Sequence, residues 1–134
     1  MISATTLCLA LSVYFESRNQ PITGQHYVAH VVMNRSESTE GKRMKDVCSI
    51  VFEESQFSWT NSIKSSKEPV VMVKRAMNRV KDIKSWKRSV EIAHKVANRR
   101  SDPTNGARYF NERKMGVRYK TSIKPIIVGK LIYY

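Results

Sequence analysis

The chain has 134 residues, 41% of them hydrophobic, which suits one domain with a single core and excludes a disordered chain. Its formal net charge is +13 at pH 7, placed unevenly: residues 1–60 hold five Lys and Arg against six acids, while residues 61–134 hold 19 against five. A basic half points to a polyanionic partner, whether nucleic acid, anionic lipid or bacterial envelope; its plain alternative is a solvated, solubilising surface.

Residues 3–18 read as a first helix, with Leu7, Leu11 and Tyr14 on one face. Its last turn holds Glu16, Ser17 and Arg18 after eight uncharged, mostly apolar positions, and Pro21 ends it soon after. A carboxylate at that place is held partly out of water, which favours its protonated form and suits a general acid. The plain alternative is that Glu16 pairs with Arg18 or caps a neighbouring helix. The apolar run resembles a signal-peptide core. However, no Lys or Arg precedes it and no small-residue cleavage site follows, so a chain without a leader is expected.

A second helix is expected from Pro21 or Thr23 to Ser36, with Val28, Val31 and Val32 inward. Residues 37–45 read as a polar loop. Asp46 reads as the N-cap of a short helix carrying Val47, Ile50 and Val51. Gln56-Phe57-Ser58-Trp59 follows on a loop. Apolar periods predict helices near 69–82 (Val73, Ala76, Met77, Val80) and 84–99 (Trp86, Val90, Ala93, Ala97). The last of these carries Lys84, Lys87, Arg88, Lys95 and Arg99 on its other faces. Ser101 to Gly106 is a dense turn signal. Residues 108–111, 126–128 and 131–133 read as short strands, the last two joined by a Gly129-Lys130 hairpin turn. The predicted class is α+β, mostly helical, with a small C-terminal β element, in one domain spanning 1–134.

His26 and His30 stand at i, i+4, a metal-ligand spacing, but Tyr27 occupies the place where a zinc protease needs its Glu. They read as ordinary helix histidines, so neither a metal nor a cofactor is expected. Gly is scarce at five, and no phosphate-cradling loop is visible. Cys8 and Cys48 lie in apolar helical contexts without a CxxC, and two thiols alone cannot build a zinc site. The default reading is two buried free thiols, consistent with a reducing cytosol. Polar residues beside aromatics form a loose further grouping: Glu16, Arg18, Gln25, Asn34, Gln56, Ser58, Trp59, Asp102, Thr104, Tyr109 and Asn111. Aromatic faces stack on pyranose rings, and amides and hydroxyls bind sugar hydroxyls.

Read in order, four stretches resemble the SleB-like, spore-cortex-lytic family of cell wall hydrolases. They are Tyr14-Phe15-Glu16-Ser17-Arg18; Pro21 to Gln25 with Val28-Ala29 and Val32 to Arg35; Val47-Cys48 with Val51 and Gln56-Phe57-Ser58; and Asp102 to Asn111. The resemblance covers about residues 7–111 and extends to the C-terminal strands. It implies a lysozyme-like fold acting on peptidoglycan at the MurNAc–GlcNAc bond. Glu16 would be the catalytic acid, and Arg18, Gln25, Asn34, Gln56, Phe57, Ser58, Trp59, Thr104, Tyr109 and Asn111 would serve the substrate.

No second acid lies beside Glu16 in these motifs, and Asp102 reads as a turn residue. A lone acid suits a lytic transglycosylase; a hydrolytic muramidase and an N-acetylmuramoyl-L-alanine amidase are the alternatives. A short, basic, leaderless member resembles a bacteriophage endolysin. Such a protein is made in the host cytoplasm, reaches the wall through a holin lesion, acts as a monomer and is drawn to anionic envelope polymers by its basic half. The rival class is a nucleic-acid-binding protein. Against it, the cations spread over two helices and the tail instead of one recognition helix, so no specific nucleic acid is expected.

Overall fold

The computed structural model describes residues 2–37, 46–52, 59 and 68–134. Among the described residues, five helices come first: α1 (Ala4–Ser17), α2 (Ile22–Ser36), α3 (Val47–Val51), α4 (Pro69–Met77) and α5 (Ile83–Ala97). Three strands follow, β1 (Phe110–Glu112), β2 (Ile126–Val128) and β3 (Leu131–Tyr133), with a 3-10 turn over Arg113–Met115. This is the mostly helical α+β class with a late sheet that the apolar periods predict.

The helix at the centre is α1. Ser3 caps it, its hydroxyl accepting from the Thr6 amide at 3.1 Å. Cys8, Leu9, Ala10, Leu11 and Val13 are fully buried, so every face of the helix meets protein. A helix apolar all round sits inside a domain, not on its surface. The helices α2, α3, α4 and α5 all pack on it.

Two expectations change. The period of Val73 to Val80 predicts a helix reaching 82, but α4 ends at Met77. Beyond it the Tyr14 hydroxyl, projecting from α1, accepts from the amides of Lys81 and Asp82 at 3.2 and 3.0 Å. Asp82 then caps α5 by accepting from the Ser85 amide at 3.1 Å. Connector and cap take the groups that a longer helix would use. The second correction is that Cys8 and Cys48 are not free thiols; they form a disulfide joining α1 to α3. Packing of α3 across α1 brings their Cα atoms to 5.3 Å, a separation that spacing alone does not reveal.

The sheet is antiparallel in the order β1-β3-β2, with Phe110 opposite Tyr133 and Ile126 opposite the same tyrosine. Gly129 opens the β2–β3 turn at φ +59, and a Cβ there would meet the Gln20 Oε1 atom at 2.7 Å and Pro21 Cδ at 2.8 Å. The hairpin tip therefore rests on the α1–α2 turn. The Lys130 amide donates to Gln20 Oε1 at 3.1 Å there, and the Tyr133 hydroxyl donates to the Gly24 carbonyl at 2.9 Å. These contacts carry the sheet to the end of α1 where Glu16 stands.

Candidate active site

Glu16 occupies the last turn of α1, half-buried, beside a cleft of about 1250 Å³. Its carboxyl makes no hydrogen bond or ion pair with any described residue. Burial without a partner for the anion pushes its pKa from 4.5 up to about 7. At neutral pH such a group both holds and accepts a proton.

The opposite walls come from the C-terminal part of the chain. Tyr109, Phe110, Asn111 and Glu112 line the cleft from β1 and its approach, Arg113 to Met115 from the 3-10 turn, and Arg118 and Tyr119 from the segment after it. Lys130 and Leu131 enter from the hairpin, Gln20 from the turn after α1, and Arg35 from α2. Tyr109 stacks on Tyr119 with ring centres 4.7 Å apart, and the Arg35 guanidinium lies 5.5 Å from the Tyr109 ring centre. Asn111 holds the wall together: its amide donates to the Gly116 carbonyl at 2.9 Å, and its oxygen accepts from the Tyr134 hydroxyl at 2.5 Å.

Behind this wall lies a second, closed polar network. Asp102 accepts from the Thr104 hydroxyl at 2.6 Å and from the amides of Thr104 and Gly106 at 2.8 Å. The Asn34 side-chain amide donates to Asp102 and to the Ala107 carbonyl, both at 2.8 Å. Arg99 donates to Asn34 Oδ1 at 2.8 Å and to Glu37 at 2.9 Å. It also donates to His30 Nδ1 at 3.0 Å, which leaves that nitrogen as the acceptor. Burial alone would raise the pKa of Asp102, but the bonds from Thr104, Asn34 and Gly106 outweigh it and hold the pKa below the ordinary value. Burial and then Arg99 push His30 down to about 4. Asp102 is thus a fixed anion that organises a turn, the reverse of Glu16.

Of the expected substrate residues, the structure brings Tyr109 and Asn111 into the cleft with Glu16. It places Asn34 and Thr104 in the network behind. Gln25 is 1% exposed and donates to the Gln20 carbonyl at 3.0 Å, shaping the turn after Glu16. Arg18 donates to the Tyr14 carbonyl at 3.2 Å and lies over the Tyr14 ring, locking the end of α1. Trp59 stacks on Phe15, centres 4.7 Å apart, in the apolar core beside Glu16. Gln56, Phe57 and Ser58 lie outside the described residues.

Sequence reasoning missed Gln20, Arg35, Glu112, Arg118, Tyr119 and Lys130 as cleft residues. The alternation in Lys114-Met115-Gly116-Val117-Arg118-Tyr119 was a usable signal, since it sets apolar and basic side chains along one exposed segment. Among the described residues, no group of three His, Cys, Asp or Glu side chains could hold a metal ion.

A family model described as Cell Wall Hydrolase matches residues 19–134, beginning three residues past Glu16. The crystal structure of the catalytic domain of the Bacillus cereus SleB protein superposes with a TM-score of 0.58 at 21% identity, covering 99% of this chain and 91% of that one. That likeness extends the shared fold through α1. No curated protein sequence matches significantly. With the family match spanning all but the first 18 residues, the chain belongs to the cell wall hydrolase family.

Proposed function

We propose that this protein cleaves the MurNAc–GlcNAc bond of peptidoglycan as a lytic transglycosylase with Glu16 as its acid and base. One observation carries the reading: a partnerless, half-buried carboxyl with its pKa near 7, in a cleft of about 1250 Å³ also lined by Tyr109, Phe110 and the exposed Tyr119. Glu16 donates its proton to the leaving glycosidic oxygen as the C1–O bond breaks. The resulting carboxylate then takes the proton of the muramic acid C6 hydroxyl, whose oxygen closes on C1. The product is a 1,6-anhydro end, and no separate base for water is needed.

One feature supports hydrolysis as a second reading. Glu112 brings another carboxylate to the same cleft, paired with Lys114 at 3.1 Å. Two carboxylates across a sugar site suit a muramidase. Mass spectrometry of digests separates the two, because an anhydro end is lighter by one water than a hydrolysed end. Anhydro ends support the transglycosylase; reducing ends alone overturn it. Under hydrolysis Glu112→Gln would cost about a hundredfold or more in rate, whereas under transglycosylation the loss would stay within a few-fold.

We further propose an endolysin role, acting on the wall after release from the cytoplasm that makes it. The net charge of +13 suits an anionic envelope, and the Cys8–Cys48 disulfide suits the oxidising side of the membrane. Expression in a bacterial host with and without a holin tests this. Lysis that starts only with the holin supports the role, and equal lysis without it overturns the role.

A further inference from the structure

The lining of the cleft is one-sided in charge. Arg35, Arg113, Lys114, Arg118 and Lys130 face it, and among the described lining residues Glu16 and Glu112 are the acids. Lys114 is paired with Glu112. Arg113, Arg118 and Lys130 have no acidic partner among the described residues.

The backbone beneath these three is fixed. The Arg113 amide donates to the Lys130 carbonyl at 2.8 Å, the Arg118 amide to the Tyr134 hydroxyl at 2.9 Å and the Lys130 amide to Gln20 Oε1 at 3.1 Å. The main chain thus sets where these three exposed side chains leave the rim of the cleft. Burial is the cause of the raised Glu16 pKa. These cations line the same cleft as Glu16, where a bound strand would carry its substituents.

We infer that this rim recognises carboxylates borne along the glycan strand, so that the cleft prefers acidic strands to neutral ones. The inference rests on the glycan-cleaving reading above and adds the substrate class. The shared chemistry is a carboxylate, with two sources: the lactyl carboxyl of a muramic acid stripped of its peptide, or the carboxylates of an attached peptide stem. Tyr119, 54% exposed and stacked on Tyr109, offers a sugar-sized face beside these cations.

The test compares soluble strands of one length in four forms: peptide-bearing, stripped by an amidase, and each of these with its carboxylates converted to amides. Binding is measured with the Glu16→Gln protein, and cleavage with the parent. The expected result is binding about tenfold tighter to carboxylate strands than to amidated ones, shrinking as salt shortens the screening length below about 8 Å. Preference seen on stripped strands assigns the lactyl carboxyl; preference confined to peptide-bearing strands assigns the stem. A combined Arg113→Gln, Arg118→Gln, Lys130→Gln protein should lose the preference to within about twofold. A Lys74→Gln, Lys81→Gln, Lys124→Gln protein, with the same charge removed at exposed positions outside the cleft, should keep it. Equal binding of carboxylate and amidated strands by the unaltered rim overturns the inference, even if cleavage proceeds. Preferential binding with no cleavage of any strand by the parent instead overturns the glycan-cleaving reading and leaves the recognition in place.

Discussion

The Tyr133 hydroxyl donates to the Gly24 carbonyl at 2.9 Å, so the last strand is fastened to the helix that follows Glu16. Gly24 has no side chain to spare there, because a Cβ would lie 3.1 Å from that hydroxyl. Burial raises the Tyr133 pKa further above its ordinary value, and the group stays a donor across the working pH range. Tyr133→Phe leaves the buried carbonyl without its partner. The expected loss is about 1–2 kcal/mol of stability, read as a fall in denaturation midpoint, with the cleft walls loosened and cleavage reduced several-fold.

Asp102 offers the contrast to Glu16. Its oxygens accept from Asn34, Thr104 and Gly106, and it does not line the cleft. Asp102→Asn places an amide group where acceptors are needed, and a loss of roughly 2–4 kcal/mol is expected. Because its folded pKa is lowered, its contribution is present above the unfolded value and fades as pH falls through the folded one. Denaturant midpoints for parent and variant should therefore converge in acid. Below the melting temperature of the variant, cleavage should stay within a few-fold of the parent.

These two acids show what the chain makes legible. The apolar run ending at Glu16 is local information, and burial of that helix follows from it. The Asp102-Pro103-Thr104 turn is local too, and its side-chain bonds span two to four residues. Other features depend on parts far apart in the chain. The Cys8–Cys48 bond needs α3 laid across α1. The early end of α4 needs the Tyr14 hydroxyl, 67 residues away. The far wall of the cleft from Glu112 to Tyr119 has no strong apolar period, and pairing of β1 with β3 sets its place. Asn34 and Gln25 have the polarity expected of sugar contacts, but their neighbours in space consume it.

The disulfide gives a measurable stability effect. It closes a loop across a 40-residue separation, and such a crosslink is worth about 2–4 kcal/mol. Reduction, or Cys8→Ser with Cys48→Ser, should lower the melting temperature by roughly ten degrees. Calorimetry with and without a reductant reads this directly; identical melting would mean that packing alone holds α3 on α1.

The outer faces of α5 carry Lys84, Lys87, Arg88 and Lys95, and none of them lines the cleft. Their expected role is attraction to anionic envelope polymers. Replacing all four with Gln should slow lysis of whole envelopes more than cleavage of soluble strands, and added salt should narrow the difference. Equal loss on both substrates would assign these residues to folding or to the site itself.

Glu16 is the centre of the account, and its titration makes a signed expectation. A carboxyl whose folded pKa is raised from 4.5 to about 7 costs stability as pH rises through that window, up to roughly 3 kcal/mol. Glu16→Gln removes this cost, so the variant should melt at a higher temperature than the parent at pH 8 and near the same temperature at pH 4. Parent activity should fall above about pH 7 as the acid loses its proton. The most direct measurement is the rate of strand cleavage by Glu16→Gln at pH 6, alongside its melting temperature. The account expects a loss at or beyond the upper end of about 10²–10⁴-fold, with the fold intact, because one residue supplies both acid and base. A folded Glu16→Gln protein that cleaves within tenfold of the parent would contradict it.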